Sequence, residues 1–146
     1  MRAPPAARGA GLAGFEILEH PADAKLRARG TTLEELFVHA AEGLMSYLFG
    51  DATPQAQPGQ TETIRIDAPD LEALLVDWLS ELLYRATAEH RAYADFRIIE
   101  ICEHKLIASA RTVSSEAIDD IKAITHHELS IRRQNGGWEA SIVFDI

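Results

Sequence analysis

One cysteine in 146 residues, Cys102, leaves no partner for an internal disulfide. Such a chain suits a reducing compartment, and the expected location is the cytoplasm. No apolar run approaches the ~20 residues that span a bilayer, so no membrane helix is expected. The opening MRAPPAARGAGLAG lacks a continuous hydrophobic stretch, which argues against a secretory signal. It predicts a mobile tail over residues 1–13 ahead of a single domain over 14–146. Basic residues are few: 14 Lys and Arg against 23 Asp and Glu give a net charge of -9. That field repels phosphate backbones, so the chain is not expected to hold nucleic acid by itself, and a cation or a basic protein is the more natural partner. A glycine-rich phosphate loop, paired-cysteine zinc spacing, GxSxG and helical HExxH are all missing, which removes the commonest enzyme signatures. Cys102 ends an apolar strand without an evident cationic activator and reads as inert.

The remaining composition, 47% hydrophobic and 25% charged, is that of an ordinary globular chain long enough to bury a core without a metal or disulfide staple. The pattern over Pro69 to Tyr93 is the strongest. Leu71, Leu74, Leu75, Trp78, Leu79, Leu82, Leu83 and Ala86 recur at helical spacing, which predicts an amphipathic helix with a wide apolar stripe. Asp67 suits its N-cap, Pro69 its first turn, and Asp70 and Glu72 its dipole. Its Trp and Leu residues are read as packing, not as a ligand box. A second helical stripe runs from Leu33 through Leu36, Phe37, Ala40, Ala41 and Leu44 to Leu48. Thr32 serves as N-cap, Glu35 occupies the capping-box position, and Gly50 is the stop. Gly43 inside it costs about 1 kcal/mol against Ala, and close approach to the longer helix is the expected compensation.

Alternation predicts the strands. Phe15 and Ile17, then Leu26 and Ala28, flank a turn at His20 to Asp23 that Pro21 keeps out of a sheet interior. Thr61 to Ile66 leads into the long helix after a polar Pro/Gly loop over Asp51 to Gln60. Phe96 to Ile101 and Lys105 to Ala110 read as a hairpin joined at Glu103 and His104. Arg111 to Asp120 has no clear period and is expected to be a loop, with strand signals resuming at Ile121. Near the end, Asn135 and Gly136 sit between alternating runs, the strongest short-range hairpin signal. The period of two then puts Trp138, Ala140, Ile142 and Phe144 on one face and Asp145 on the other. Strands at both ends with two long helices among them predict an α+β layered domain.

Candidate chemistry is sparse. His126 and His127 are adjacent in an expected strand and point to opposite faces, which disfavours joint ligation of one ion and predicts one packed and one solvated ring. Asp23 in its turn and Asp145 beside the terminal carboxylate of Ile146 remain. Spacing alone favours a bland reading, since an Asp in a turn usually bonds its local backbone.

Several stretches together resemble the archease family: EHPAD at 19–23, the helix opening TLEELF at 32–37, APDLEALLVDWLSELLY at 68–84, KAITHH at 122–127, and the ending VFDI. They cover residues 14–146 in the family's order. The resemblance implies a fold with two long helices packed between mostly antiparallel sheets. It also implies a role as protein cofactor of the GTP-dependent tRNA-splicing RNA ligase, promoting ligase guanylylation and multiple turnover without catalysis of its own. It further implies a divalent ion, typically calcium, bound by Asp23, Asp145 and Ile146. A hard cation wants several oxygen ligands, and these groups supply anionic oxygen without sulfur or imidazole. His20, Lys122, Thr125 and His127 match other recurrent positions and are expected to orient the site or face the partner. Pro21 and His126 depart from the family's usual Thr and Tyr. A metal-dependent hydrolase with His20 as base, and a general chaperone, are the competing readings.

Overall fold

In the computed structural model, which describes residues 7–8, 14–50 and 59–146, both leucine-rich stretches are helices with chemically defined ends. The first, α1 (Leu33–Phe49), starts at Thr32, whose hydroxyl accepts the Glu35 N–H at 3.1 Å. The Glu35 carboxylate reaches back to the Thr31 N–H at 3.0 Å, and hydrogen bonding from Thr31, backbone first, holds its pKa below the usual value. Gly50 ends the helix at φ 80, with its N–H on the Ser46 carbonyl. The second, α2 (Leu71–Glu89), is capped by Asp70, whose carboxylate accepts the Ala73 N–H. Asp67, the expected cap, is the last residue of a strand instead. The helix also stops four residues short of Tyr93: His90 adopts a left-handed conformation and its N–H bonds the Ala86 carbonyl.

The described strands are β1 (Ala7–Arg8), β2 (Phe15–Glu19), β3 (Asp23–Gly30), β4 (Gln60–Asp67), β5 (Arg91–Ile101), β6 (Lys105–Ser114), β7 (Ala123–Gln134) and β8 (Gly137–Asp145). Five form one sheet in the order β1-β2-β3-β8-β7 and three form another in the order β4-β6-β5. Their pairings are antiparallel. Each helix touches strands of both sheets, the layered α+β arrangement expected. Within the stretch read as a mobile tail, Ala7 and Arg8 pair with Leu18 and Ile17. Residues 51–58 of the Pro/Gly loop lie outside the described residues, and Gln60 already belongs to β4. Arg111 to Ser114, expected in a loop, continue β6, while β7 begins at Ala123 and not at Ile121. The β7–β8 turn is the Asn135-Gly136 hairpin, with φ 47 and 76.

The core fills the space between the sheets. Trp78, Leu74, Leu75, Leu79 and Leu82 are fully buried, each worth roughly 1.5–3 kcal/mol by removal from water. Trp78 Nε1–H donates to the Phe37 carbonyl at 3.0 Å and joins α2 to α1, and Phe96 meets its ring edge-on at 6.0 Å. Gly43 does not answer to the longer helix. A Cβ there would lie 2.5 Å from Leu26 Cδ1 and 3.2 Å from Phe15, so the close approach it permits is between α1 and strands β2 and β3. A polar network fastens α2 to the smaller sheet. Glu62 accepts from Arg85 at 3.0 Å, from the Tyr93 hydroxyl at 2.9 Å, and from Arg91. Burial, then the hydrogen bond to Glu62, pushes the Tyr93 pKa up to about 12. Among the described residues no helix is long and apolar enough to cross a membrane.

Candidate metal centre

Strand periodicity sets the site. Ala24, Leu26 and Ala28 of β3, with Ala140, Ile142 and Phe144 of β8, are buried against the helices. The intervening residues therefore face outward, away from the core. The β3–β8 ladder puts Asp23 opposite Asp145 and Lys25 opposite Val143. The turn before β3 closes when the His20 N–H donates to the Asp23 carbonyl at 2.8 Å. The Asp145 carbonyl accepts the Lys122 N–H at 2.7 Å, and the Ile146 N–H reaches the Ala22 carbonyl at 3.5 Å. The main chain on both sides of the carboxylate pair is thus held by hydrogen bonds.

Beside the pair, β7 departs from regular pairing. Between Thr125, opposite Val143, and Ser130, opposite Ser141, β7 advances five residues while β8 advances two. Three residues are extra, and the chain bulges there with Glu128 at φ 54. The Thr125 hydroxyl anchors the start, donating to the Val143 carbonyl at 3.0 Å and accepting the His127 N–H at 3.2 Å. The bulge forms one wall of an outward-facing cleft of about 280 Å³ lined by His20, Asp23, Lys25, Glu128 and Val143. His126 and His127 are both exposed, so neither ring is packed, contrary to the expectation from simple alternation. His127 Nε2 lies 3.8 Å from Glu128, with both side chains mostly exposed.

The donor chemistry fits a hard cation. Like charges directly opposite on one face of an antiparallel pair destabilise it, and Asp23 and Asp145 stand in that relation at the last step of the ladder. A cation between them would convert repulsion into attraction. Among the described residues, however, no three His, Cys, Asp or Glu side chains converge closely enough to hold a metal. Side chains supply two carboxylates, whereas calcium takes six to eight oxygens. Were an ion held here, main-chain oxygens, water or a partner's groups would have to supply the rest.

A model of the Archease protein family matches residues 15–146. The chain belongs to the archease family. It is 37% identical to the protein archease of Methanosarcina mazei over 142 residues, covering 90% of this chain and 95% of that one. It is 33% identical to that of Thermococcus kodakarensis over 141 residues, covering 90% and 98%. Its fold is similar to the solution structure of Methanobacterium thermoautotrophicum protein 1598, with TM-score 0.69, 26% identity, and coverage of 92% of this chain and 100% of that one. It is also similar to the crystal structure from Thermotoga maritima titled an archease, possible chaperone, with TM-score 0.67, 22% identity, and coverage of 88% and 94%.

In this archease fold the motif residues named from sequence gather at one end of the larger sheet, though not all by their side chains. Asp23 and Asp145 meet as register partners, and His20 shares the cleft with Asp23. Lys122 and Ile146 join through their backbones, while Thr125 acts through its hydroxyl. His127 sits on the bulge as an exposed ring. Two charged cleft residues escaped the sequence reading, Lys25 and Glu128. Lys25 was within reach, since it lies two residues from Asp23 on the same face; Glu128 depends on the bulge, which periodicity does not reveal.

Proposed function

We propose that this protein activates a GTP-dependent tRNA-splicing RNA ligase without catalysing a reaction itself, promoting ligase guanylylation and repeated turnover. The supporting observation is the Asp23–Asp145 pair at the end of the β3–β8 ladder, read together with the family to which the chain belongs. Asp23, Asp145 and Ile146 would hold a divalent cation, calcium in the first instance, and the cation supplies positive charge to oxygen ligands brought by the partner. Two side-chain carboxylates leave coordination open for such ligands. Lys122 and Thr125 fix the strand ends beneath the site; His20 and His127 stand where a partner meets them. The ligase is the partner, RNA is reached through it, and both work in the cytoplasm.

Guanylate transfer to a cognate ligase, followed with and without substoichiometric amounts of this protein, tests the proposal. The expected result is a larger guanylylated fraction and multiple turnovers, both lost in Asp23→Asn and Asp145→Asn variants that stay folded. Variants that stimulate like the parent would remove the carboxylates from the mechanism. The location of His20 in the cleft with Asp23 favours one second reading, a metal-dependent hydrolase with His20 as general base. Hydrolysis of phosphoesters by the purified protein alone, abolished in His20→Ala, would establish it in place of the first.

A further inference from the structure

The described strands end their sheets on β1 and β7 in the larger and on β4 and β5 in the smaller. Three of these edges are short or broken. β1 has two residues, and β7 bulges between Thr125 and Ser130. β5 slips against β6 between Ala94 and Arg97 and again between Ile98 and Glu100, with Asp95 at φ 53. β4 is different. Its eight residues pair with β6 in one uninterrupted register, from Gln60 opposite Thr112 to Asp67 opposite Lys105. It contains neither Pro nor Lys, and among the described residues no strand pairs with its other side. A long, regular edge of this kind offers a row of main-chain N–H and C=O groups to a further strand.

α2 runs beside that edge. A cleft of about 340 Å³ is lined by Arg65, Ile66 and Asp67 of β4 and by Asp77, Ser80 and Glu81 of α2. Successive strand residues point to opposite faces, so a cleft that Arg65 and Ile66 share passes the strand's edge, and no β6 residue lines it. Its carboxylates outnumber its one guanidinium. Glu81 is committed to Arg85 at 2.6 Å, whereas Asp67 and Asp77, both exposed, make no ion pair among the described residues. Farther along the edge α2 stays close, since Arg85 reaches Glu62 of β4 at 3.0 Å. Tyr84 shares the helix face of Asp77, Ser80 and Glu81 and is 66% exposed. An exposed aromatic ring beside unpaired main chain is the kind of group that anchors a protein interface.

We propose that β4 is a docking edge whose occupant is an extended, basic segment of a protein partner. The segment adds a strand to the smaller sheet, sets a Lys or Arg in the cleft against Asp77 and Asp67, and lays an apolar side chain on Tyr84. A second copy of this chain fits badly: each carries a net charge of -9, and β4 would bring Glu62 and Asp67 to the contact with only Arg65 against them. The edge lies in the smaller sheet and Asp23 and Asp145 in the larger, so docking here needs no cation and stands or falls apart from that pair.

The isotope-labelled full chain is titrated in chelator and followed by amide NMR. The probes are the blocked peptide Thr-Val-Lys-Val-Lys-Val-Thr, its counterpart with Glu for Lys, and the Lys peptide N-methylated at successive central residues, which keeps its charge but cannot pair through either edge. The Lys peptide is expected to bind, to shift the signals of β4 and of the helix face from Asp77 to Tyr84, and to slow exchange of β4 amides; the other two are not. Asp77→Lys should weaken binding about tenfold and Tyr84→Ala about threefold. Both positions are exposed, so thermal unfolding should stay that of the parent. Equal binding of the N-methylated peptide reduces the contact to charge and overturns the inference. So do equal binding of the Glu peptide, equal binding by Asp77→Lys, shifts centred away from β4, or no binding of the Lys peptide. A dimer joined through β4 in analytical ultracentrifugation and NMR would assign the edge to a second copy and overturn it as well.

Discussion

Asp23 and Asp145 are direct cross-strand partners, the last step of the β3–β8 ladder before the chain turns away on both strands. Like charges directly opposite on one face weaken a strand pair, a cation held between them would offset that, and the two effects can be read separately.

Asp23→Asn removes one of the two like charges. In the presence of chelator the variant should be more stable than the parent by about 0.2–1 kcal/mol. With calcium the order should reverse, because the variant has lost an anionic ligand. Thermal unfolding of both proteins in the two conditions checks the crossing; curves that keep one order in both remove Asp23 from the ion.

Residues appended after Ile146 turn a carboxylate into an amide and carry charge away from Asp145. Calcium affinity should fall for a C-terminal tag and stay unchanged for an N-terminal one. Calorimetric titration of the two tagged forms decides it.

Gly43→Ala gains about 1 kcal/mol of helix propensity but puts a methyl group 2.5 Å from Leu26 Cδ1. Overpacking of a buried contact costs about 1–3 kcal/mol, so the net change should be zero to about 2 kcal/mol destabilising. Urea denaturation measures it; a clear stabilisation would mean that Leu26 and Phe15 yield freely.

Tyr93 is buried with its hydroxyl on Glu62, and its pKa lies at about 12 in the folded protein against about 10 unfolded. Between these values the unfolded chain loses a proton that the folded chain keeps, so Tyr93 contributes stability that is complete below pH 10 and is lost as pH rises through 12. The parent should lose more stability than Tyr93→Phe as the pH rises from 9 to 12. Urea midpoints for both proteins across that range give the difference.

Local rules made both helices and the outward placement of Asp145 legible, since capping residues and the periods of 3.6 and 2 are properties of short stretches. What escaped depended on distant partners. Thr112 and Val113 are both buried, which breaks alternation and hid the end of β6, although Arg111 pairs with Asp95 at 2.6 Å. His90 ends α2 without the glycine that usually marks such a stop. Asp67 and Asp70 are both plausible caps by type, and only the strand pairing of Asp67 with Lys105 decides between them. Glu128 enters the cleft because three extra residues are accommodated between Thr125 and Ser130, and no local pattern in THHEL announces an insertion relative to a strand paired in space.

That bulge has a second consequence, because β7 is the outermost strand of its sheet. An exposed edge is a template for another strand, and long, regular edges invite chains to stack side by side. Along β7 such a template is broken between Thr125 and Ser130, leaving short regular runs on either side whose directions the bend separates. The distortion that shapes the cleft therefore also guards the flank of the sheet, so a substitution or deletion that straightened it would be expected to raise the tendency of chains to add edge to edge.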